Sequence, residues 1–309
     1  MALTIDEKKH YEDVIARTGT LRSSFKSRTI PEWYTDYLKK VQSEEIYVPT
    51  EYGDVRCVVT RALDKQKNCP LHINMHGGGF YFPQNGDDDM YCAHLAAEIH
   101  GVVVDIDYAL SQDKPFPAAF EQCYAVCGWA FGKAVEWGCD ASRVSIGGHS
   151  AGGNLTAAIT LRAGCSGDYK FCLQVVDFAA LNMDKQPVDD AAADAMTISA
   201  ERSNAFFSLY TDGDDNLTNS PCVSPIKATD EMLKKAPPTL IISAGKCGFR
   251  FDNESLGLRL AALGVEVTMR RFVNSRHGFT VRLVDEWEAA QQLVIDTINR
   301  IPAQTEGEV

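Results

Sequence analysis

The chain reads as an α/β protein: a mostly parallel sheet of about eight strands, covered by helices on both faces and opened by an antiparallel hairpin. Three observations carry that expectation. From residue 70 onward, short apolar runs rich in β-branched residues alternate with helix-length segments. Before them, the runs 45–49 and 55–62 flank a Glu51-Tyr52-Gly53-Asp54 turn, as hairpin strands do. The 309 residues, 45% apolar and 23% charged, are enough for one large core.

Residues 5–42 carry a helical pattern through Tyr11, Val14, Ile15, Leu21 and Phe25, and Pro31 suits the first turn of a second helix through Trp33, Tyr34, Tyr37 and Leu38. An aromatic leader of this kind either packs on the body or covers a pocket. After the hairpin, 70–75 is a buried strand leading into His76-Gly77-Gly78-Gly79-Phe80. Asp87, Asp88 and Asp89 suit the positive end of the next helix, which Gly101 stops before a strand at 102–106. A helix from Pro115-Phe116-Pro117 runs to about Gly138, a strand ends at Ile146, and a helix begins near Leu155. Strands at 171–178, 238–244 and 265–272 complete the sheet, and a helix over 284–300 bears the stripe Trp287, Ala290, Val294, Ile298. Residues 183–236 are less regular and rich in Asp and Ser, with a helical aromatic piece at 206–210. The expected organisation is a leader of 1–42, a core of 43–182 and 237–303, and an insertion of 183–236.

A net charge of −12 argues against nucleic acid or an anionic membrane as partner. No apolar run approaches the length that spans a bilayer, and the N-terminus lacks a secretory pattern, so a cytoplasmic location is expected. The ten cysteines are scattered without zinc-ligand spacing, which suits reduced thiols; no metal and no cofactor is expected.

The chemistry centres on Gly148-His149-Ser150-Ala151-Gly152, between a strand end and a helix start. A phosphate loop would need a Lys-Ser or Lys-Thr pair, which this stretch lacks, and a glycine-rich turn is the plainer alternative. In strand–turn–helix context a G-x-S-x-G serine sits on a strained turn that holds its hydroxyl clear of the sheet. Such a hydroxyl needs a base. Of seven histidines, His277 follows the last strand and has Gly278 to let its loop turn. His76 to Gly79, Ser150, the segment after Ala244 and His277 all follow strand ends, where ligands gather in such sheets. Gly77, Gly78 and Gly79 let their amides approach a reacting group, and the Ala151 amide complements them as an oxyanion donor.

His76-Gly77-Gly78-Gly79-Phe80, Asp107-Tyr108, the Pro115–Ala119 stretch, Gly148 to Asn154, Ser224-Pro225 and His277-Gly278-Phe279 occur in an order that resembles the hormone-sensitive-lipase-type branch of the α/β-hydrolases. That resemblance covers residues 45–300. It implies the α/β-hydrolase fold with a helical cap from the leader and the insertion, and a serine carboxylesterase acting on short acyl esters. Ser150 would be the nucleophile, His277 the general base, and Gly78, Gly79 and Ala151 the oxyanion amides. Aromatics would wall an apolar pocket, with Phe80, Tyr81, His149 and Trp33 as substrate contacts. The expected partner is a small-molecule ester, and a homodimer is compatible with it.

The pattern departs from the family at one position. The triad acid belongs two residues after Gly245, where this chain has Cys247. The carboxylate then comes from Asp252 first or Glu254 second, or from another strand end (Asp177, Asp184), or is missing. Asp252 equally suits a helix N-terminus. Two functions follow: an esterase, weakened if no acid replaces Cys247, or a small-molecule binding protein on the same scaffold.

Overall fold

Strand β3 (Cys69–Met75) is buried at all seven positions, the signature of a parallel strand covered on both faces. The computed structural model describes residues 2–18, 32–186 and 198–302. Beside β3 lie β4 (Val102–Asp107) and β5 (Cys139–His149), each parallel to it. β6 (Leu173–Asp177), β7 (Thr239–Ala244) and β8 (Val267–Phe272) continue the parallel sheet. On the other side, β1 (Val41–Val48) pairs antiparallel with β2 (Val55–Ala62), and β2 pairs antiparallel with β4. The sheet of eight runs β1-β2-β4-β3-β5-β6-β7-β8, so the expected fold, including its antiparallel start, is present.

Strand alternation divides the core. Val102, Val104 and Ile106 face a cluster with α4 (Ala118–Lys133) and α5 (Ala151–Ser166), whereas Val103 faces one with α3 (Gly86–Glu98) and the C-terminal helix. Leu240 and Ile242 join the second cluster, while Ile241 packs with Leu256 and Leu260 of α8 (Arg250–Ala262). The chain leaves β3 for β4 on one side and returns to β5 on the other. This reversal opens a crevice at the carboxyl ends of β3 and β5.

Element boundaries differ from the sequence expectation where local patterns run together. Among the described residues the leader holds α1 (Ile5–Arg17) and α2 (Glu32–Leu38), and β1 already begins at Val41 because Lys40 O and Leu63 N close the hairpin there. Leu21, Phe25 and Pro31 lie outside the described residues. The two helices go to different places. α2 packs on α3 and β1, whereas α1 packs on α6 (Ala200–Tyr210), in the insertion between β6 and β7. The Arg202 guanidinium donates to Ile15 O at 2.9 Å, Lys8 pairs with Asp212 at 3.2 Å, and Arg17 pairs with Glu201. A short α7 (Asp230–Leu233) closes the insertion. The last helical stretch is split: Leu283 and Asp285 take left-handed backbone angles between α9 (Phe279–Arg282) and α10 (Trp287–Asn299). Ala290, Val294 and Ile298 form the buried stripe of α10.

Candidate active site

The crevice is furnished from both of its strands. β5 ends at His149, and Ser150 turns the chain into α5 with φ 56° and ψ −110°, a combination that non-glycine residues rarely adopt. Close packing forces this elbow. A Cβ on Gly152 would stand 2.0 Å from Met75 O, and one on Gly148 would stand 2.5 Å from the Gly152 carbonyl. Gly152→Ala is therefore expected to push β3 and α5 apart and to cost about 1–3 kcal/mol or more, which thermal denaturation would read. The Ser150 amide donates to Asp177 O at 3.0 Å, and its carbonyl accepts from Asn154 and Ala180. Asn154 in turn donates to Ala180 O and Val223 O, both at 2.8 Å, tying the elbow to the base of the insertion.

The loop after β3 supplies the other wall. His76 stacks on Tyr108 with centroids 4.1 Å apart, and the Tyr108 hydroxyl donates to His76 O at 2.7 Å. This pins the start of the glycine run and explains why His76 and Asp107-Tyr108 occur together in the sequence. Gly77, Gly78 and Gly79 are half-exposed beside Ser150. At Gly79, φ is +64° and a Cβ would lie 2.5 Å from the Phe206 ring, so only glycine fits. Ala151 is the first residue of α5, where an amide has no partner within the helix.

His277 enters from the loop after β8. Its Nε2 lies 2.9 Å from Ser150 Oγ, and its ring packs between Phe178 (4.9 Å) and Phe249 (5.5 Å). Burial, reinforced by the positive charges of Arg282 and Arg202, pushes the imidazole pKa down to about 3. The other ring nitrogen, Nδ1, faces the Cys247 sulfur at 3.2 Å. Burial lifts the Cys247 thiol to about 12, so it is neutral at physiological pH.

That arrangement corrects the first choice of acid. Asp252 sits in the first turn of α8, beside the positive helix end, and among the described residues no carboxylate hydrogen-bonds His277. The turn after β7 brings residue 247 under the imidazole, while 252 has already been carried into the helix. Glu254 is held by Arg271 and by Ser243 Oγ at 2.8 Å. Asp184 is paired with Lys227 at 2.6 Å. Asp177 accepts from His149 and Thr280.

Three expected substrate contacts lie elsewhere. Phe80 is fully buried, stacked on Tyr210 at 3.8 Å, because its positive φ of 58° turns the ring inward. His149 is buried against Tyr91, with Nδ1 2.7 Å from Asp177 Oδ2. Trp33 stacks on Trp287 at 5.4 Å and packs against Tyr37 and His94, on the sheet face that carries α3 and α10. Tyr81 is half-buried, with Phe82 at 5.0 Å and Phe206 at 6.2 Å. The sequence reasoning missed Arg202, whose guanidinium lies 5.8 Å from the Phe82 ring centre and 5.2 Å from that of Phe206. It also missed Thr280, three residues beyond His277. No local pattern marks Arg202, but the spacing of Thr280 from the histidine was visible.

An alcohol on a strained turn within reach of a buried imidazole suits nucleophilic attack on a carbonyl, and the sheet that carries it is that of the α/β hydrolases. The chain belongs to this family and is a hydrolase: the family described as the alpha/beta hydrolase fold matches residues 72–281. It is 32% identical over 216 residues to the esterase LipI of Mycobacterium tuberculosis H37Rv, covering 69% of this chain and 67% of LipI. It is 35% identical over 97 residues to human hormone-sensitive lipase, 31% of this chain and 9% of the lipase. An esterase structure from the archaeon Pyrobaculum calidifontis aligns with a TM-score of 0.78 and 26% identity, covering 97% of this chain and 98% of that one. The resemblance drawn from the motifs therefore holds. Among the described residues no helix is long and apolar enough to cross a membrane.

Proposed function

We propose that the protein is a serine carboxylic-ester hydrolase that forms an acyl-enzyme on Ser150. The observation that carries this reading is the 2.9 Å approach of His277 Nε2 to Ser150 Oγ on the strained elbow. His277 takes the hydroxyl proton as Oγ attacks the ester carbonyl. The amides of Gly78, Gly79 and Ala151 stabilise the resulting oxyanion, and His277 returns the proton to the departing alcohol. Water then releases the acid by the same route. The first helix of the leader, α1, and α6 of the insertion form a cap over the 43–182 and 237–303 core, a division supported by the α1–α6 packing, while α2 belongs to the body through α3 and β1. Tyr81, Phe82 and Phe206 offer an apolar wall beside the Arg202 guanidinium, which suits the acyl chain of an ester. Chromogenic acetate and butyrate esters test the reading. Hydrolysis should fall to background in Ser150→Ala, and a fluorophosphonate should label the parent at Ser150 alone. A Ser150→Ala variant as fast as the parent would sink it.

One observation favours a second reading, a binding protein with residual turnover. A neutral Cys247 thiol can donate S–H to His277 Nδ1, which leaves the ring proton on Nε2 facing Ser150. That tautomer cannot accept the serine proton.

A further inference from the structure

We propose that Asp177, through Thr280 and His149, is a positioning residue that keeps the catalytic imidazole in register with Ser150, a task that an orienting carboxylate at position 247 would otherwise perform. The inference rests on the esterase reading above. Asp177 ends β6 and is wholly buried. One of its oxygens, Oδ2, takes two hydrogen bonds: from Thr280 Oγ1 at 2.6 Å and from His149 Nδ1 at 2.7 Å. Its backbone carbonyl takes a third, from the Ser150 amide at 3.0 Å. A single residue thus holds both catalytic segments, since His149 precedes the nucleophile and Thr280 lies on α9 just beyond the base.

The clamp is braced on both sides. Gln291 of α10 donates to Thr280 O at 2.7 Å, fixing the helix that follows His277. The Phe178 ring, next in sequence to Asp177, packs against His149 (6.0 Å) and His277 (4.9 Å). The sulfur 3.2 Å from His277 Nδ1 is a weak and poorly directional hydrogen-bond partner. Charge-assisted bonds to a buried carboxylate are short and directional. Here two short bonds, at 2.6 and 2.7 Å, tie the helix after the imidazole and the residue before Ser150 to one carboxylate, while among the described residues no carboxylate holds the ring itself. Among the described residues, no other carboxylate bonds both the segment before Ser150 and the segment after His277.

A double-mutant cycle tests this. Thr280→Val keeps the side-chain shape and removes the hydroxyl. In the parent it should lower kcat for a short-acyl ester, and the rate of Ser150 phosphonylation, by about tenfold or more, with KM changed less than about twofold. Thr280→Ser should restore the rate. Asp177→Asn, which keeps the volume and an acceptor oxygen, should give a partial loss of the same kind and stands in if Thr280→Val fails to fold. In a Cys247→Asp background the Thr280→Val loss should shrink to about threefold or less, because the ring then has its own partner. Equal losses in both backgrounds, or no rescue by serine, would overturn the positioning role while leaving Ser150-dependent hydrolysis intact. Hydrolysis that survives Ser150→Ala would instead overturn the esterase reading, and this role with it.

Discussion

Cys247→Asp is expected to raise kcat toward short-acyl esters by about two to four orders of magnitude, since loss of the corresponding carboxylate from a serine triad costs about 10⁴. The parent pairs His277 Nδ1 with a buried sulfur at 3.2 Å, a thiol that burial keeps protonated. A carboxylate there would accept the Nδ1 proton, fix the tautomer that leaves Nε2 free as a base, and stabilise the imidazolium that forms during attack. Burial is the main obstacle to an anion at this position. A backbone amide at Phe249 reaches the 247 side chain, and the positive charge of Arg250 acts on it, although Asp177 opposes a second negative charge. Steady-state rates with chromogenic esters, beside Cys247→Asn, check the expectation. Asparagine has similar volume and no charge, so it should stay near the parent rate. If aspartate and asparagine behave alike, position 247 is not where the acid is lacking.

The second large effect concerns pH. An ordinary imidazole takes a proton as pH falls through about 6.5, and an esterase that uses it as base then slows. In this chain burial, together with Arg282 and Arg202, holds His277 down to about 3. The neutral base form therefore persists well below the usual range, and kcat/KM should stay flat as pH falls through 6.5, declining only toward about pH 3–4. A variant with Cys247→Asp gains a negative neighbour that favours the imidazolium, so its acid limb should move upward. Ser150 phosphonylation rates across this range, with melting temperatures at each pH to separate unfolding from titration, provide the check. A parent whose rate drops tenfold per pH unit below about 6.5 would contradict the low-pKa base.

The fold was legible because its central strands are apolar runs bounded by glycine turns, and a doubly covered parallel strand has no other pattern to show. Ser150, His277 and the glycine run were legible for a related reason. Each needs a backbone geometry that only particular neighbours allow, as the 2.0 Å approach at Gly152 illustrates. What stayed hidden depends on direction rather than identity. Phe80 follows the glycine run as a pocket residue would, but a positive φ turns it into the core. Trp33 belongs to an aromatic leader whose halves separate, and the half that carries it packs on α3. Asp252 is near Cys247 in number, yet the start of α8 carries it away from the imidazole. The joint between Asp177 and Thr280 spans 103 residues and could not be seen before the chain was folded.

The bonds from α1 to α6 and the turn after it, Arg202 to Ile15, Lys8 to Asp212 and Arg17 to Glu201, join two distant stretches of chain into one packed unit. Leu3 N also donates to Asp212 at 3.3 Å, so a disturbance at the start of α1 would be felt some two hundred residues away in sequence.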